Sequence, residues 1–431
     1  MGYYSFLHLR EFFNVCVVPL IETRYNSALI SWSIVMDACQ PIYGHKDLRP
    51  LPSRPTDQAL QGLLHGNRPG LPPTTIDETD CQLSMAEPSS PDISVAENHN
   101  QTQTTDMDFD ASHLIEVRES PSKGLGVFAK ANIPCGTRVI AEPALLEVSG
   151  RDANMNSNAN DILQAYESLL PSQQKLYLSL HGFACTLYKE KVERDMRQDW
   201  LQLTELHRTV LSIYVANTFG AVFLLGSRIN HSCVPNLDFS YNSALGKETF
   251  HAIRDISAGE ELTISYINGS NRTRSQRRTE LDKWGFQCTC EACEDTVRGR
   301  EREEKRVQLF DLDQMLALDI RIGTKASCRM ALQIVQRLAA IQKSEGLLGR
   351  ELGLSYHDAA RYCLKLGNAR MALLWAQKEL EVDRYCVGED HPDFEIELDI
   401  VHRLRAAVEG SAPVDEVVTR WFRLHDWPIT M

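Results

Sequence analysis

The chain has 431 residues, of which 43% are hydrophobic and 24% charged, and its formal net charge is −13. This length and apolar content suit two or three globular domains and exclude a wholly disordered chain. The acidic balance, without a strongly basic stripe, argues against direct nucleic-acid binding as the main activity. Twelve scattered cysteines are not a disulfide scaffold, and nothing reads as a signal peptide, so we expect a reducing compartment.

The first 110 residues divide into two segments by composition. Residues 1–42 form an apolar extension of uncertain status, and its longest charge-free run, from Tyr25 to Met36, is too short to span a membrane. Residues 43–110 are rich in Pro, Ser, Thr, Asn and acids, and nine Asp and Glu residues but no Lys or Arg lie between Gly70 and His113. This composition predicts a disordered acidic linker.

Order is expected to begin near His113, where β-branched residues alternate with Gly and Pro as in short strands joined by tight turns. Between about 150 and 225 the hydrophobic spacing becomes helical, with Asn160 or Asp161 as the candidate N-cap of the first helix. Strand-like sequence returns after residue 239, in "ETFHAIRDISAGEELTISYI". The pattern predicts a helical insert within a strand-rich domain.

A charged run, "RGREREEKR", then precedes a C-terminal third, residues 302–431, that is helical throughout. Two apolar stripes at helical spacing flank Gly367 and Asn368, which predicts two antiparallel helices, and a later helix is expected around Ile396 to Val408. Stacked hairpins of the tetratricopeptide kind and a simple helical bundle both fit, because no clean repeat of 34 residues is present.

The segment "RINHSCVPNLDF", from Arg228 to Phe239, is either a polar turn or the floor of an active site. A second feature, "SKGLGVFA", contains Gly124 and Gly126, which allow a positive φ angle or a close approach of the backbone to a ligand. Alone it is more typical of a turn, since it lacks the helix that follows a dinucleotide-binding loop.

A third feature, "GFQCTCEACED", places Cys288, Cys290 and Cys293 within six residues. Three thiols this close in a reduced protein favour zinc, which prefers soft sulfur ligands in tetrahedral geometry. Cys233, in the segment "RINHSCVPNLDF", is a better candidate for the fourth ligand than Cys328. Cys328 lies beyond the charged run and is assigned to helix packing. A redox cluster is the alternative.

The fourth feature is "GEELTISY", ending in Tyr266, on a predicted strand that leads towards the cysteines. In this order, and with a helical insert before "NHSCVPN", the motifs resemble a SET-domain protein lysine methyltransferase, and in particular the SET and MYND family. The resemblance covers about residues 113–295 and extends loosely through the C-terminal helices. A lone strand tyrosine is usually core packing, so the combination carries the assignment.

The resemblance implies an α+β fold. It predicts a SET domain of short β-sheets with a pseudoknot at residues 111–285, interrupted by the helical insert. It further predicts a cysteine-rich post-SET zinc segment at 286–297 and an α-helical, tetratricopeptide-like domain at 302–431. One departure is clear. The MYND finger needs about eight Cys and His ligands, yet residues 146–219 contain only His181, Cys185 and His207.

The resemblance also assigns roles to residues and names two cofactors, S-adenosylmethionine and zinc. Tyr266 matches the catalytic tyrosine. The zinc ligands are Cys233, Cys288, Cys290 and Cys293. The residues expected to contact S-adenosylmethionine are Lys123, Gly124, Leu125, Gly126, Asn217, Asn230, His231 and Phe286.

The expected function is therefore transfer of methyl groups from S-adenosylmethionine to lysine side chains of a protein, histone or non-histone. A catalytically silent SET fold that binds peptides through its C-terminal helices is the alternative. We expect a monomer in the cytoplasm or nucleus that acts on a protein substrate and binds neither nucleic acid nor membrane. The sequence names neither the target lysine nor the degree of methylation.

Overall fold

The structure is a computed structural model that describes residues 111–148, 157–267, 271–319 and 324–424. The predicted apolar extension and acidic linker lie outside the described residues. No helix within these ranges is long and apolar enough to cross a bilayer.

The predicted short strands are confirmed, and they form two small sheets. In chain order they are β1 (Ile115–Ser120), β2 (Gly124–Ala129), β3 (Arg138–Glu142), β4 (Asn230–His231), β5 (Leu237–Asn242), β6 (Lys247–Ala252) and β7 (Glu261–Ile264). One sheet has the order β1-β2-β7-β4 and the other the order β3-β6-β5. Most pairs are antiparallel, but β4 lies parallel to β7. The pseudoknot stays a prediction.

The helical insert is confirmed between the two strand-rich segments. Its helices are α1 (Ala159–Glu167), α2 (Pro171–Tyr177), α3 (Thr186–Met196) and α4 (Glu205–Asn217). The N-cap prediction was wrong: Asn158 caps α1 and accepts a hydrogen bond from the backbone N–H of Asn160. Asp161 instead lies in the first turn, where its negative charge favours the positive end of the helix dipole.

Asn236 links β7, in the four-stranded sheet β1-β2-β7-β4, to the segment that follows β4. The side chain, 1% exposed, donates to the Glu261 backbone carbonyl at 2.9 Å and accepts from the Thr263 N–H at 2.8 Å. Its backbone carbonyl accepts from the Ile253 N–H at 3.0 Å. The side chain of Asn236, at the end of "NHSCVPN", therefore satisfies two backbone groups of β7 by hydrogen bonding.

The remaining helices follow β7. They are α5 (Arg274–Leu281), α6 (Val297–Asp319), α7 (Lys325–Ser344), α8 (Arg350–Lys365), α9 (Ala369–Val387), α10 (Pro392–Glu409) and α11 (Glu416–Trp421). The charged run forms the start of α6, so the long C-terminal helices begin at this run. Its Arg, Glu and Lys residues are good helix formers, and Arg306 is buried against the strand-rich core.

The predicted pair of helices around Gly367 and Asn368 is confirmed as α8 and α9. Gly367 ends the first helix with φ +79°, and the Asn368 side chain caps the second by accepting from the Met371 N–H. The later helix, α10, covers the expected range. The tetratricopeptide-like arrangement stays a prediction.

Replacing Asn236 by alanine should lower the free energy of unfolding by about 3 kcal/mol, because the Thr263 N–H and the Glu261 carbonyl would lose their buried partner. Urea denaturation followed by circular dichroism measures the change. Asn160→Ala, at an exposed position in α1, is the matched control and should stay within about 0.5 kcal/mol of wild type. Equal effects of the two substitutions would contradict the role of Asn236.

Candidate active site and metal centre

The turn between β1 and β2 brings its backbone close to β4 and β7. Ser122 and Gly124 adopt positive φ angles of 60° and 78°. A Cβ atom at Gly126 would lie 2.6 Å from Glu261 Oε1 and 2.9 Å from Asn230 Nδ2. A side chain at this position would force Glu261 and Asn230 to move, so the second glycine of "SKGLG" fits the observed arrangement of the two side chains.

A polar cluster, formed by Lys123, Leu125, Asn230 and Glu261, lies where β2, β4 and β7 meet. Lys123 Nζ donates to Glu261 Oε2 at 2.9 Å. Asn230 Nδ2 donates to Glu261 Oε1 at 2.8 Å and to the Leu125 carbonyl at 3.1 Å. Burial opposes ionisation of Glu261, but the hydrogen bonds from Lys123 and Asn230 outweigh it and lower the pKa of this carboxyl. The structure thus joins two of the predicted cofactor residues, Lys123 and Asn230, through one carboxylate, and Asn230 links them to the backbone of a third, Leu125.

His231 is buried next to this cluster and uses both ring nitrogens within the protein. Nδ1 accepts from the Tyr266 backbone N–H at 3.0 Å, and Nε2 lies 3.3 Å from Cys233 Sγ. Burial lowers the pKa of His231 to about 4, so the ring is neutral near pH 7. Because Nδ1 is the acceptor, Nε2 carries the proton and donates to the sulfur.

An aromatic cluster of His231, Tyr266, Trp284 and Phe286 surrounds the end of β7. The Tyr266 ring centroid lies 5.4 Å from His231, 5.8 Å from Trp284 and 6.2 Å from Phe286. The Tyr266 hydroxyl donates to the Ile229 carbonyl at 2.6 Å. Burial raises the pKa of Tyr266, so its hydroxyl keeps the proton at neutral pH.

Gly285 lies between two residues of the aromatic cluster, Trp284 and Phe286. It has φ +74°, and a Cβ there would lie 2.4 Å from the Phe183 ring, which belongs to the helical insert. The close approach needs a residue without a side chain. The insert therefore packs against the segment that carries Trp284 and Phe286.

Asn217 has a different environment. This buried residue ends α4, and its Nδ2 donates to the carbonyls of His181 and Ile213, both at 2.7 Å. Within the described ranges, none of its hydrogen bonds reaches the polar cluster. The amide group of Asn217 holds the helical insert together, and its assignment to the cofactor stays a prediction.

Four cysteines from two distant segments meet beside His231. The sulfurs of Cys233, Cys288, Cys290 and Cys293 all lie within 4.8 Å of one another, and none forms a disulfide. Cys233 Sγ is 3.9 Å from Cys288 Sγ and 3.5 Å from Cys293 Sγ. Sulfurs bound to one tetrahedral zinc at about 2.3 Å would lie about 3.8 Å apart. The spacing therefore fits a zinc ion, and it is far too long for a disulfide.

Two buried arginines, each 1% exposed, surround the four cysteines. Arg277, on α5, donates from Nη2 to the Ala292 carbonyl at 3.1 Å and lies 3.7 Å from Cys293 Sγ. Arg306, on α6, donates to the Cys233 carbonyl at 2.7 Å. Four thiolates around one Zn²⁺ carry two net negative charges, so these guanidinium groups would offset them.

Comparison with known proteins agrees with this geometry. A family model described as "SET domain" matches residues 124–267. This chain carries a SET domain. The match begins at Gly124, the first residue of β2, and ends one residue after Tyr266, so the polar cluster and the catalytic candidate fall within the SET domain or at its edge.

Two relatives extend the comparison. The fission yeast Schizosaccharomyces pombe protein "Histone-lysine N-methyltransferase set5" is 29% identical over 281 residues, which cover 65% of this chain and 81% of the relative. The mouse protein "Histone-lysine N-methyltransferase SMYD3" is 27% identical over 183 residues, 38% of this chain and 39% of the relative. The similarity of the SET domain thus reaches the SET and MYND family, as the motifs indicated.

A solved structure also matches, described as "Structure of Rubisco LSMT bound to Sinefungin and Monomethyllysine". It is 13% identical and covers 74% of this chain and 93% of its own, with a TM-score of 0.27. The likeness is too weak at this TM-score to bear on the fold of the SET domain.

Several site residues escaped sequence reasoning. Glu261 stands inside the "GEELTISY" motif, and Trp284 lies two residues before Phe286, so both had a positional signal. Arg277 and Arg306 had none, because their burial depends on helices α5 and α6 packing beside the cysteines.

Cys233→Ser should reduce bound zinc well below one ion per chain, because three sulfurs leave an open and weaker site. Atomic absorption on the purified protein measures the ratio. Cys328→Ser is the matched control: this buried cysteine of α7 lies outside the cysteine cluster, and its loss should leave zinc in place. Full zinc in Cys233→Ser together with loss in Cys328→Ser would show that the wrong cysteine was paired.

Proposed function

We propose that this chain transfers methyl groups from S-adenosylmethionine to lysine side chains of a protein substrate. The observation that carries the proposal is the meeting of the polar cluster, Tyr266 and Phe286 around β4 and β7 of a SET domain. The two relatives are both named histone-lysine N-methyltransferases, which supports the same reaction. Histone and non-histone proteins both remain within the proposal.

The polar and aromatic clusters offer the groups that would hold the cofactor. Lys123 contributes a positive charge, Asn230 its side-chain carbonyl oxygen and Leu125 its backbone, while the Phe286 ring offers an aromatic face for the adenine. When bound, S-adenosylmethionine supplies a methyl group activated by its sulfonium. The residues present therefore fit this cofactor by charge, hydrogen bonding and stacking.

The aromatic cluster would also prepare the lysine. A lysine ammonium has an ordinary pKa of about 10.4, and only the neutral amine can attack. A channel walled by Tyr266, Trp284 and Phe286 disfavours the charged form by desolvation, so it lowers the lysine pKa without a dedicated base. Aligning the amine and excluding water then account for much of the rate.

Tyr266 would orient the amine. Its hydroxyl hydrogen is directed to the Ile229 carbonyl. The oxygen therefore faces its surroundings as an acceptor, suited to an amine N–H or to the polarised C–H groups of the transferred methyl. This hydrogen bond fixes the rotamer before the substrate arrives, which is the preorganisation that catalysis needs.

The zinc site would support the cofactor wall. Phe286 is separated from Cys288 by one residue, so a metal bound to Cys233 and Cys288 fixes Phe286 beside β4. We also propose that the protein acts in the nucleus or cytoplasm. Its C-terminal helices are proposed to stack as in tetratricopeptide domains. No observation favours the silent scaffold, which predicts cofactor binding without turnover.

Gly126→Ala should weaken binding of S-adenosylmethionine about tenfold or more, because the new Cβ would displace Glu261 and Asn230. Titration calorimetry on the zinc-loaded protein measures the affinity. Gly246→Ala strains the β5–β6 turn, where a Cβ meets nothing within 4 Å, and should keep wild-type affinity. Unchanged affinity in Gly126→Ala would separate the polar cluster from the cofactor.

Tyr266→Phe should keep the fold and cofactor binding but lower turnover by about 10²-fold or more, since it removes one oriented hydroxyl. The assay is transfer of labelled methyl into lysate proteins, with the modified residue identified by mass spectrometry. Tyr241→Phe, on β5, is the control and should turn over normally. Wild-type rates in Tyr266→Phe would mean that this tyrosine only packs, and inactive wild-type protein that binds cofactor would favour the scaffold.

A further inference from the structure

The segment that carries β4 holds Tyr266 at two points. The Tyr266 hydroxyl donates to the Ile229 carbonyl at 2.6 Å, and its backbone N–H donates to His231 Nδ1 at 3.0 Å. Strand β7 ends at Ile264, so this N–H lies beyond the strand pairing and the His231 ring provides its acceptor. The position of the proposed catalytic tyrosine therefore depends on where the His231 ring is held.

The His231 ring is held in turn by the cysteine cluster. Its Nε2 lies 3.3 Å from Cys233 Sγ, and the two residues are only 3% and 5% exposed. A backbone N–H can only donate, so Nδ1 carries no proton and Nε2 carries the proton of the ring. A buried N–H group needs an acceptor, and the Cys233 sulfur is the acceptor that the structure provides.

A metal at the four cysteines strengthens this contact. Zinc binds cysteine as the thiolate, and an N–H donates more strongly to an anionic acceptor than to a neutral one. Groups that contact the ligands of a metal also orient those ligands, and their loss commonly lowers metal affinity by about 10- to 100-fold. The influence runs both ways, because a coupling free energy between two sites is reciprocal.

Filling the core is the simpler explanation of a buried ring at this position. The centroid of the His231 ring lies 5.4 Å from that of Tyr266 and 6.0 Å from that of Phe286, as close packing alone would give. Packing does not account for the two different partners of the ring nitrogens, one a backbone N–H and the other a sulfur. A linking role requires an acceptor at Nδ1 and a donor at Nε2, and both are present.

We propose that His231 is a positioning residue that links the metal centre to Tyr266, so that methyl transfer depends on the metal bound by Cys233. The proposal rests on the proposed function, since it takes Tyr266 as the catalytic group. It adds a means of regulation: the supply of zinc sets the activity through a ring that does not bind the metal. Both ring nitrogens are used inside the protein, which leaves the backbone and the ring face of His231 for the predicted cofactor contact.

Two substitutions separate the two contacts of the ring. In His231→Asn the amide oxygen takes the place of Nδ1, but the shorter side chain does not reach Cys233. In His231→Gln the amide N–H takes the place of Nε2, but no acceptor replaces Nδ1 beside the Tyr266 N–H. His402→Asn, exposed on α10, is the matched control.

Two measurements on the full-length chain follow the two contacts without relying on activity. Competition with a chromogenic chelator gives the zinc affinity. Amide hydrogen exchange of the zinc-loaded protein gives the protection of the Tyr266 N–H. The N–H of Thr263, which donates to the Asn236 side chain at 2.8 Å, is the internal control for the integrity of β7.

We expect the two substitutions to have opposite effects. His231→Asn should weaken zinc binding about tenfold or more and leave the Tyr266 N–H protected. His231→Gln should keep the wild-type zinc affinity and speed exchange of the Tyr266 N–H about tenfold or more. Removal of zinc should speed that exchange in the wild-type chain and have a smaller effect in His231→Asn. In all zinc-loaded variants the Thr263 N–H should exchange as in wild type.

Several results would overturn the proposal. Equal effects of both substitutions on zinc affinity and on the Tyr266 N–H would mean that His231 only fills space, and wild-type values in both would mean that its ring links nothing. Loss of protection at Thr263 together with Tyr266 would show that His231 supports β7 as a whole. Equal acceleration by zinc removal in wild type and in His231→Asn would show that the metal acts by another route.

Turnover distinguishes this proposal from the proposed function. His231→Gln should lower kcat about tenfold or more, because Tyr266 is displaced, and should keep a KM for S-adenosylmethionine near that of wild type. A wild-type chain without turnover would contradict methyl transfer, whereas the zinc and exchange measurements would still decide whether His231 links the metal centre to Tyr266.

Discussion

The parallel pairing of β4 with β7 is the constraint on which the rest of the site depends. It aligns Asn230 with Thr263 and His231 with Ile264. Parallel strands need a long connection, and here the β5–β6 hairpin lies between them. Because β4 has only two residues, the pairing needs stabilising hydrogen bonds besides those between the two strands. Asn236 and the bond from the Tyr266 N–H to His231 provide it.

The cysteine cluster extends this constraint into the helical part of the chain. Arg306 reaches from α6 to the Cys233 carbonyl, and Arg277 lies between the cysteines and Glu303, 3.5 Å away on α6. Buried guanidinium groups are stable only with such partners. Helix α6 is thus part of the surroundings of the metal centre. These buried contacts hold α6 against the strand-rich region.

Much of the strand order, the helical insert and the pair α8–α9 could be read from the sequence, since each depends on local periodicity and on glycine or asparagine at a turn. The convergence of Cys233 with the later cysteines was also anticipated, through ligand chemistry. What failed depended on tertiary context. Asn158 caps α1 although Asn160 and Asp161 are equally suitable by type, and the charged run buries one of its arginines, Arg306, beside the cysteines.

Other features had no local signal at all. Arg277 and Arg306 look like any basic residue on a charged helix, and only the packing of α5 and α6 beside the cysteines buries them. Asn217 was chosen by resemblance, yet its amide is occupied by backbone carbonyls of the insert. A pattern in sequence fixes the type of a side chain, whereas its partners are set by elements far away along the chain.

The distance between the cysteines has a consequence for synthesis of the protein. Cys233 precedes Cys293 by 60 residues. At about 5 to 20 residues per second, a ribosome needs roughly 3 to 12 s to add them. For most of that interval Cys233 lacks the other three cysteines, and until β7 is made the β4 segment has no strand to pair with, so this nascent chain carries an oxidisable sulfur. A reducing environment during synthesis keeps that thiol available until the last cysteine has been added and the four-sulfur site is complete.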